Sequence, residues 1–265
     1  MRLKSLPIYQ VDAFATKLFQ GNPAAVCPLE AWLPDALMQS IAQENNLSET
    51  AFFVPQGEGF EIRWFTPNDE VALCGHATLA SAHVLFEELG YNKPTIALHS
   101  PHSGPLKVFK KDGLLFLDFP TDTITPHPMA PAFEAALGVR PTALFKGKTD
   151  YIALLENEAA VRGCTPNMAK VDAIGGRGII ITAGGDTVDI VSRFFAPQCA
   201  VPEDPVTGSA HTSLLPLWAP RLGKTKLVAR QLSQRGGQLH CELKEDRCWI
   251  GGTAVTYLKG TLQLH

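Results

Sequence analysis

Short apolar stretches bounded by glycine, proline and asparagine dominate the hydrophobic pattern of this chain. Some of them alternate apolar and polar residues, as in 61–65, which is the period of a strand with one buried face. Others are uninterrupted and rich in β-branched residues, as expected for strands buried on both faces. The pattern predicts strands at 8–14, 24–27, 50–54, 61–65, 95–99, 104–109, 114–119, 143–146, 151–155, 178–183, 189–195, 226–233, 238–243, 247–250 and 253–262.

Fewer segments have the spacing of a helix. Apolar residues recur at helical intervals in 35–43, and a run of small residues in 77–89 is closed by Gly90. Further helices are predicted at 131–137, 157–162, 166–174 and 209–218. The last of these contains Pro216, which predicts that the helix stops or kinks there. The mixture of strands and helices indicates an α/β (α+β) protein.

Two parts of the chain repeat the same pattern. Residues 63–67 read Arg-Trp-Phe-Thr-Pro, and a Gly-His pair and a helix of small residues follow at 75–83. Residues 193–197 read Arg-Phe-Phe-Ala-Pro, and a Gly-Ser pair opens a similar helix within 203–213. The two copies are separated by about half of the chain. The repeat therefore predicts two related halves with a cleft between them, over 1–119 and 132–253. A linker rich in Pro and Thr at 120–131 joins them, and 254–265 is a candidate to complete the first half.

Composition and charge exclude several classes of protein. The chain has 265 residues, 45% of them hydrophobic and 18% charged, which is typical of a globular protein with substantial cores. A net charge of −3 without a basic run gives no sign of nucleic-acid binding. No apolar segment approaches the roughly 20 residues of a membrane span, and the first twelve residues are too polar for a signal peptide. We therefore expect a cytoplasmic protein.

The six cysteines are scattered and form no Cys-x-x-Cys pair. Their spacing does not match that of a metal site, so we predict no metal and expect most of them to be free, buried thiols.

The two helix starts of the repeat, each with a glycine, suggest a binding site for a small anion. A helix N-terminus presents unpaired N–H groups and a partial positive charge, so it attracts carboxylates and phosphates. Gly75 and Gly208 would let a ligand approach the backbone closely. The plainer interpretation is that Gly-His and Gly-Ser only begin two ordinary helices, but two related copies favour the binding interpretation.

Several segments together resemble a known family. These are Asn45-Asn46-Leu47-Ser48-Glu49-Thr50-Ala51-Phe52-Phe53, Cys74-Gly75-His76-Ala77-Thr78, Glu203-Asp204-Pro205-Val206-Thr207-Gly208-Ser209-Ala210, and the opening 11–14 with 21–26. They are similar to the signature segments of the phenazine-biosynthesis PhzF-like family. The resemblance implies the diaminopimelate epimerase-like fold, with two halves that each wrap a curved sheet around a central helix. It also implies a homodimer and an isomerase that needs no cofactor.

The resemblance assigns roles to residues that match its motifs. Glu49 matches the catalytic acid/base, and its neighbours Leu47, Phe52 and Phe53 supply an apolar setting that suits a carboxyl group to exchange protons near neutral pH. Three residues match the supporting catalytic positions: His76, Asp204 and Ser209. Five more are expected to bind a small carboxylate substrate: Asn22, Ser48, Gly75, Thr207 and Gly208.

Three functions remain open on this basis. The first is a cofactor-independent isomerase that moves a proton within a small carboxylate-bearing metabolite in the cleft. The second is an epimerase or racemase that uses Cys74, which lies where one of the two catalytic cysteines of the related epimerases would fall; Thr207 or a neighbour takes the place of the other. The third is a small-anion binding protein without turnover.

Overall fold

The computed structural model of the chain describes residues 4–264. The first three residues of the predicted first half, 1–119, and His265 of the predicted segment 254–265 lie outside the described residues. The chain divides into two compact units, Met1–Asp118 with Gly251–His265, and Phe119–Ile250. Segment 251–265 thus groups with the first unit.

The described residues form eighteen strands and six α-helices. The strands are β1 Lys4–Ala13, β2 Asn22–Pro28, β3 Glu49–Gln56, β4 Gly59–Phe65, β5 Glu70–Val71, β6 Thr95–Ser100, β7 Gly104–Lys111, β8 Leu114–Pro120, β9 Thr125–His127, β10 Ala143–Lys146, β11 Asp150–Leu154, β12 Gly178–Gly184, β13 Ile190–Ala196, β14 Val201–Asp204, β15 Lys226–Gln231, β16 Gly237–Lys244, β17 Arg247–Gly252 and β18 Ala254–Leu264. The helices are α1 Asp35–Asn45, α2 Gly75–His83, α3 Pro131–Leu137, α4 Glu158–Gly163, α5 Met168–Ile174 and α6 Ala210–Leu222.

The first unit is a mixed sheet around one buried helix. Its strands pair in the order β18-β1-β2-β3-β4-β6-β7-β8, with β5 added to one end of β4. The pairs β2–β3 and β4–β6 are parallel and the others are antiparallel. Helix α2 packs against β1, β2, β3 and β18, and every side chain from His76 to Ala82 is buried. Small residues are required because strands surround the helix.

The second unit repeats this order of strands. Its pairing runs β9-β10-β11-β12-β13-β15-β16, with β14 added to β13. The parallel pairs are β11–β12 and β13–β15, at the positions that β2–β3 and β4–β6 hold in the first unit. Helix α6 follows β14 as α2 follows β5, and it packs against β15 and β16.

One contact appears in both units and corresponds to the repeat in the sequence. Arg63 on β4 binds both carboxylate oxygens of Glu70 on β5, at 2.7 and 2.6 Å, and stacks over Phe65. Arg193 on β13 binds both oxygens of Glu203 on β14, at 2.7 and 2.9 Å, and stacks over Phe195. Each arginine thereby fastens the short strand that leads into the buried helix.

Two helices differ from the sequence-based prediction. The segment predicted as one helix over 77–89 is α2 followed by a π-helical turn at Val84–Glu88. Helix α6 does not stop at Pro216 but continues to Leu222, through Pro220 as well. Pro216 cannot donate a hydrogen bond to the carbonyl of Thr212, and the backbone N–H of Asp122 donates to that carbonyl instead, at 3.1 Å. The predicted linker at 120–131 therefore supplies a hydrogen bond to α6, and it also contains strand β9.

Across 4–264, no helix combines the length and the apolar character needed to cross a membrane.

Candidate active site

In the first unit, the start of β3 and the start of α2 bring Glu49 and His76 together. Glu49 Oε2 lies 3.2 Å from His76 Nε2. His76 is 5% exposed, and the Glu49 side chain is 18% exposed, so one side of the pair is open. Apart from each other, neither of the two facing atoms has a hydrogen-bond partner in the described part of the chain. The exposed side of Glu49 leaves room for a third group beside the pair.

The other ring nitrogen of His76 is held in place by two neighbours. The Asn22 side-chain amide donates to His76 Nδ1 at 3.2 Å, and Cys74 Sγ lies 3.5 Å from the same atom. Asn22 is fully buried, and Ser48 Oγ is 3.5 Å from its side-chain oxygen. When Nδ1 accepts a hydrogen bond, or when the ring is protonated, Nε2 carries a hydrogen that faces Glu49.

The charges of this cluster depend on its burial. Burial lowers the pKa of His76, but the neighbouring Cys74 and Glu49 raise it by more than burial lowers it. The pKa of His76 therefore lies well above the ordinary value. Burial raises the pKa of the Cys74 thiol to about 11, which leaves it protonated near neutral pH.

The predicted residues of the second unit gather at the start of α6. Thr207 Oγ1 donates to Asp204 Oδ2 at 2.5 Å. Gln231, a fully buried residue of β15, accepts from the Thr207 backbone N–H at 2.8 Å and donates to the Asp204 carbonyl at 2.7 Å. Gln231 thus fixes the loop that carries Asp204, Thr207 and Gly208.

Ser209 does not cap α6 with its side chain. Its Oγ accepts a hydrogen bond from Arg177 Nη1 at 3.1 Å, and Arg177 also binds both oxygens of Asp150. Asp150 is 2% exposed and the Arg177 side chain is 34% exposed. The guanidinium stacks over Phe194 at 5.1 Å. Because arginine can only donate, the hydroxyl hydrogen of Ser209 is left for another acceptor.

Three residues of this second cluster are not among those predicted from the sequence: Asp150, Arg177 and Gln231. The sequence does mark Arg177, because it lies between two glycines, Gly176 and Gly178. Glycine at these positions allows other atoms to pack closely against the backbone at the start of β12. A Cβ at Gly178 would come within 2.5 Å of the Phe195 carbonyl oxygen. The pairing with Asp150 depends on the parallel register of β11 and β12, in which Asp150 lies beside Gly178.

Comparison with known proteins identifies the family. A family model described as phenazine biosynthesis-like protein (PhzC-PhzF) matches residues 11–260. The chain belongs to this family. An uncharacterized isomerase of Pseudomonas aeruginosa is 51% identical to it over 98% of this chain and 99% of that protein. The crystal structure of a PhzF-family protein from Enterococcus faecalis matches with a TM-score of 0.96 and 50% identity, over 98% of this chain and 100% of that one.

More distant structures share the fold alone. A hydroxyproline epimerase from Agrobacterium vitis matches with a TM-score of 0.61 at 13% identity, over 100% of this chain and 93% of that one. The predicted family and fold class are confirmed: the PhzF-like protein is a mixed α+β protein with the epimerase-like fold. It is an enzyme of the isomerase class, as the sequence predicted.

Proposed function

We propose that the protein isomerises a small carboxylate-bearing metabolite by moving a proton from one atom of it to another. Glu49 acts as the general base that removes the proton and as the acid that returns it. The observation that supports this role is the 3.2 Å approach of Glu49 to His76 at the start of a buried helix, with one side of the pair open. A positioned carboxylate that takes one proton from the substrate and later returns one is regenerated at the end of each turnover, and its proton can exchange with solvent in between.

The remaining predicted residues would hold the substrate and stabilise its charge. As the proton leaves, negative charge develops on the substrate carbonyl or carboxylate, and N–H and O–H donors lower its energy. His76, the backbone at Gly75, the Ser209 hydroxyl and the backbone at Gly208 are such donors. Asn22, Ser48 and Thr207 orient these groups, and Asp204 supplies a second carboxylate for proton transfer.

Substrate discovery can use a variant that binds but does not react. Glu49→Gln keeps the shape of the side chain but cannot carry the proton. We expect purified Glu49→Gln protein to retain from a metabolite extract a small carboxylate that mass spectrometry identifies. The wild-type protein is expected to convert that compound and, in deuterated water, to place deuterium in the product.

The decisive comparison is the rate of conversion. Glu49→Gln should lower it by about 10²–10⁴-fold, the usual range for losing a general acid/base. Glu58→Gln is the matched control, because the Glu58 side chain is 95% exposed, and it should not change the rate. Conversion by Glu49→Gln at the wild-type rate would refute the proposed mechanism.

An epimerase or racemase that uses Cys74 is the second candidate. The contact between Cys74 Sγ and His76 favours it, whereas the raised pKa of the thiol opposes it. Full activity in Cys74→Ala would exclude it. A ligand that is bound tightly and never converted would instead support an anion-binding protein without turnover.

We also propose that the protein is a cytoplasmic homodimer, as the family resemblance implies. Sedimentation equilibrium on the purified chain would give twice the mass of 28.7 kDa if this is right.

A further inference from the structure

Glu49, Cys74 and His76 together offer the ligand set of a transition-metal site. One ligand atom from each residue lies within 4.8 Å of the other two. A thiolate, an imidazole and a carboxylate are the groups that bind Zn²⁺, and three protein ligands with an open fourth position form a common arrangement. No spacing rule could find this set, because Glu49 begins β3 while Cys74 and His76 flank the first residue of α2.

Two unsatisfied atoms point into this cluster. Glu49 Oε2 and His76 Nε2 are both buried, and apart from their mutual 3.2 Å approach neither has a hydrogen-bond partner within 4–264. Buried polar atoms with so few partners are rare, and they leave bonding capacity for a further group. A positive ion between them would satisfy both.

The distances suit zinc. With bonds of about 2.0–2.2 Å to nitrogen and oxygen and about 2.3 Å to sulfur, tetrahedral geometry sets the N and O ligands about 3.3 Å apart and the S and N ligands about 3.6 Å apart. The Glu49 and His76 atoms are already 3.2 Å apart. The Cys74 ligand atom lies within 4.8 Å of the other two and must move closer to both to bind the same ion.

We propose that Glu49, Cys74 and His76 bind one Zn²⁺ ion, with solvent or a ligand at the fourth position. Zn²⁺ takes the place of the Cys74 thiol hydrogen and forms the Zn–S bond, and the proton is released to solvent. His76 binds through Nε2 and releases the hydrogen on that atom to solvent, while the hydrogen on Nδ1 stays. The Asn22 side-chain amide, whose nitrogen lies 3.2 Å from Nδ1, then has to turn its oxygen toward that hydrogen.

Occupation of this site would block proton transfer. The Glu49 lone pair that accepts the substrate proton would be shared with the metal. This consequence rests on the proposed function, whereas metal binding itself does not.

The test uses Co²⁺ as a coloured substitute for Zn²⁺. The background is the full-length Cys199→Ser protein under reducing, anaerobic conditions, because Cys199 is the exposed thiol of the described chain. We expect one Co²⁺ per chain, with the charge-transfer absorption of a thiolate–cobalt bond, and its loss when Zn²⁺ is added. Because binding releases a proton, the affinity should fall at least about tenfold for each pH unit below neutrality.

Matched variants assign the ligands. Cys74→Ser should abolish the thiolate–cobalt band, whereas Cys27→Ser, which alters a buried thiol in the same unit, should retain it. Glu49→Gln and His76→Gln should each weaken binding by about 10–100-fold or more. Circular dichroism and thermal unfolding show that each variant is folded, and Zn²⁺ should raise the Tm of the background protein but not of Cys74→Ser.

Three results would overturn the proposal: no thiolate–cobalt band, a band that survives in Cys74→Ser, or several weak sites that no variant affects. The last would show an adventitious ion only. A bound metal together with unchanged Glu49-dependent turnover would refute the inhibition alone. Metal binding to an enzyme whose turnover does not need Glu49 would refute the proposed function and leave the metal site intact.

Discussion

At the scale of residues, the sequence identifies candidate site residues that lie in short motifs. It does not identify residues that only the folded structure brings together. Glu49 and His76 stand in recognisable segments, and the structure places them 3.2 Å apart. Arg177 and Asp150 meet because β11 and β12 are parallel neighbours, which no local pattern encodes. Ser209 precedes the first residue of α6, but its hydroxyl group contacts Arg177 instead of capping the helix.

Arg177 should matter to ligand binding through Ser209. In Arg177→Lys the charge beside Asp150 remains, but the ammonium cannot hold both Asp150 oxygens and Ser209 in the same geometry. We expect the KM for the metabolite identified with Glu49→Gln to rise about tenfold, with a smaller change in kcat. The control is a double-mutant cycle: in Ser209→Ala, the Lys substitution should add little. Equal effects in both backgrounds would mean that Arg177 does not act through Ser209.

At the scale of elements, most strands and helices begin and end within a few residues of their predicted positions. The exceptions are the short strands β5, β9 and β14, whose two to four residues are too few for a periodic pattern. The continuation of α6 through Pro216 also escaped prediction, because it depends on the distant Asp122 N–H. A sequence rule accounts for the backbone N–H that a proline lacks, but not for a replacement donor that comes from another part of the chain.

The start of α6 should make the protein sensitive to acid. His211 is fully buried, and its Nδ1–H donates to the Thr207 carbonyl at 2.9 Å. Burial lowers the pKa of His211 to about 4, from 6.5 for the unfolded chain. The folded state therefore resists protonation, so this contribution to stability is complete above pH 6.5 and is lost as the pH falls toward 4.

Denaturant unfolding at several pH values measures this effect. Between pH 6.5 and 4 the free energy of unfolding should fall by about 3 kcal/mol more in the wild type than in His211→Gln. His99→Gln removes an exposed histidine and is the control, which should follow the wild type. Parallel curves for His211→Gln and the wild type would show that His211 does not titrate in this way.

At the scale of the whole molecule, two short motifs correctly indicated a repeat that includes the strand order of both units. The repeat is visible in the sequence at two kinds of position. These are the arginines that bind a carboxylate with two hydrogen bonds, and the glycines at the helix starts. Elsewhere the strands need only be apolar and of the right length, so the two copies have diverged beyond recognition. The sites diverged too: the first unit has Glu49 beside His76, and the second has Arg177 beside Ser209.

The two repeated arginines should stabilise the fold unequally. Both hold a carboxylate with two hydrogen bonds, and both are mostly buried. Arg193 Nη1 also donates to the Cys164 carbonyl at 2.7 Å, whereas the same atom of Arg63 contacts Asp35, whose side chain is 74% exposed. Arg193→Met should therefore cost about 3 kcal/mol and Arg63→Met about 2 kcal/mol.

Chemical denaturation of both variants tests this order. Lys93→Met, which removes an exposed ion pair with Glu58, is the control and should change stability by less than about 0.5 kcal/mol. If both arginine variants behave like Lys93→Met, these contacts do not fasten the strands.

The placement of the cysteines has a practical consequence. Five of the six are buried, and Cys199 is exposed in the short 3₁₀ turn after β13. Its sulfur lies 3.8 Å from the Arg177 carbonyl oxygen, beside the residue that binds Ser209. A thiol-reactive dye should therefore attach at this one position without any engineering. Its emission would report ligand binding at the neighbouring Arg177–Ser209 contact, and compound libraries could be screened on the unaltered protein before its reaction is known.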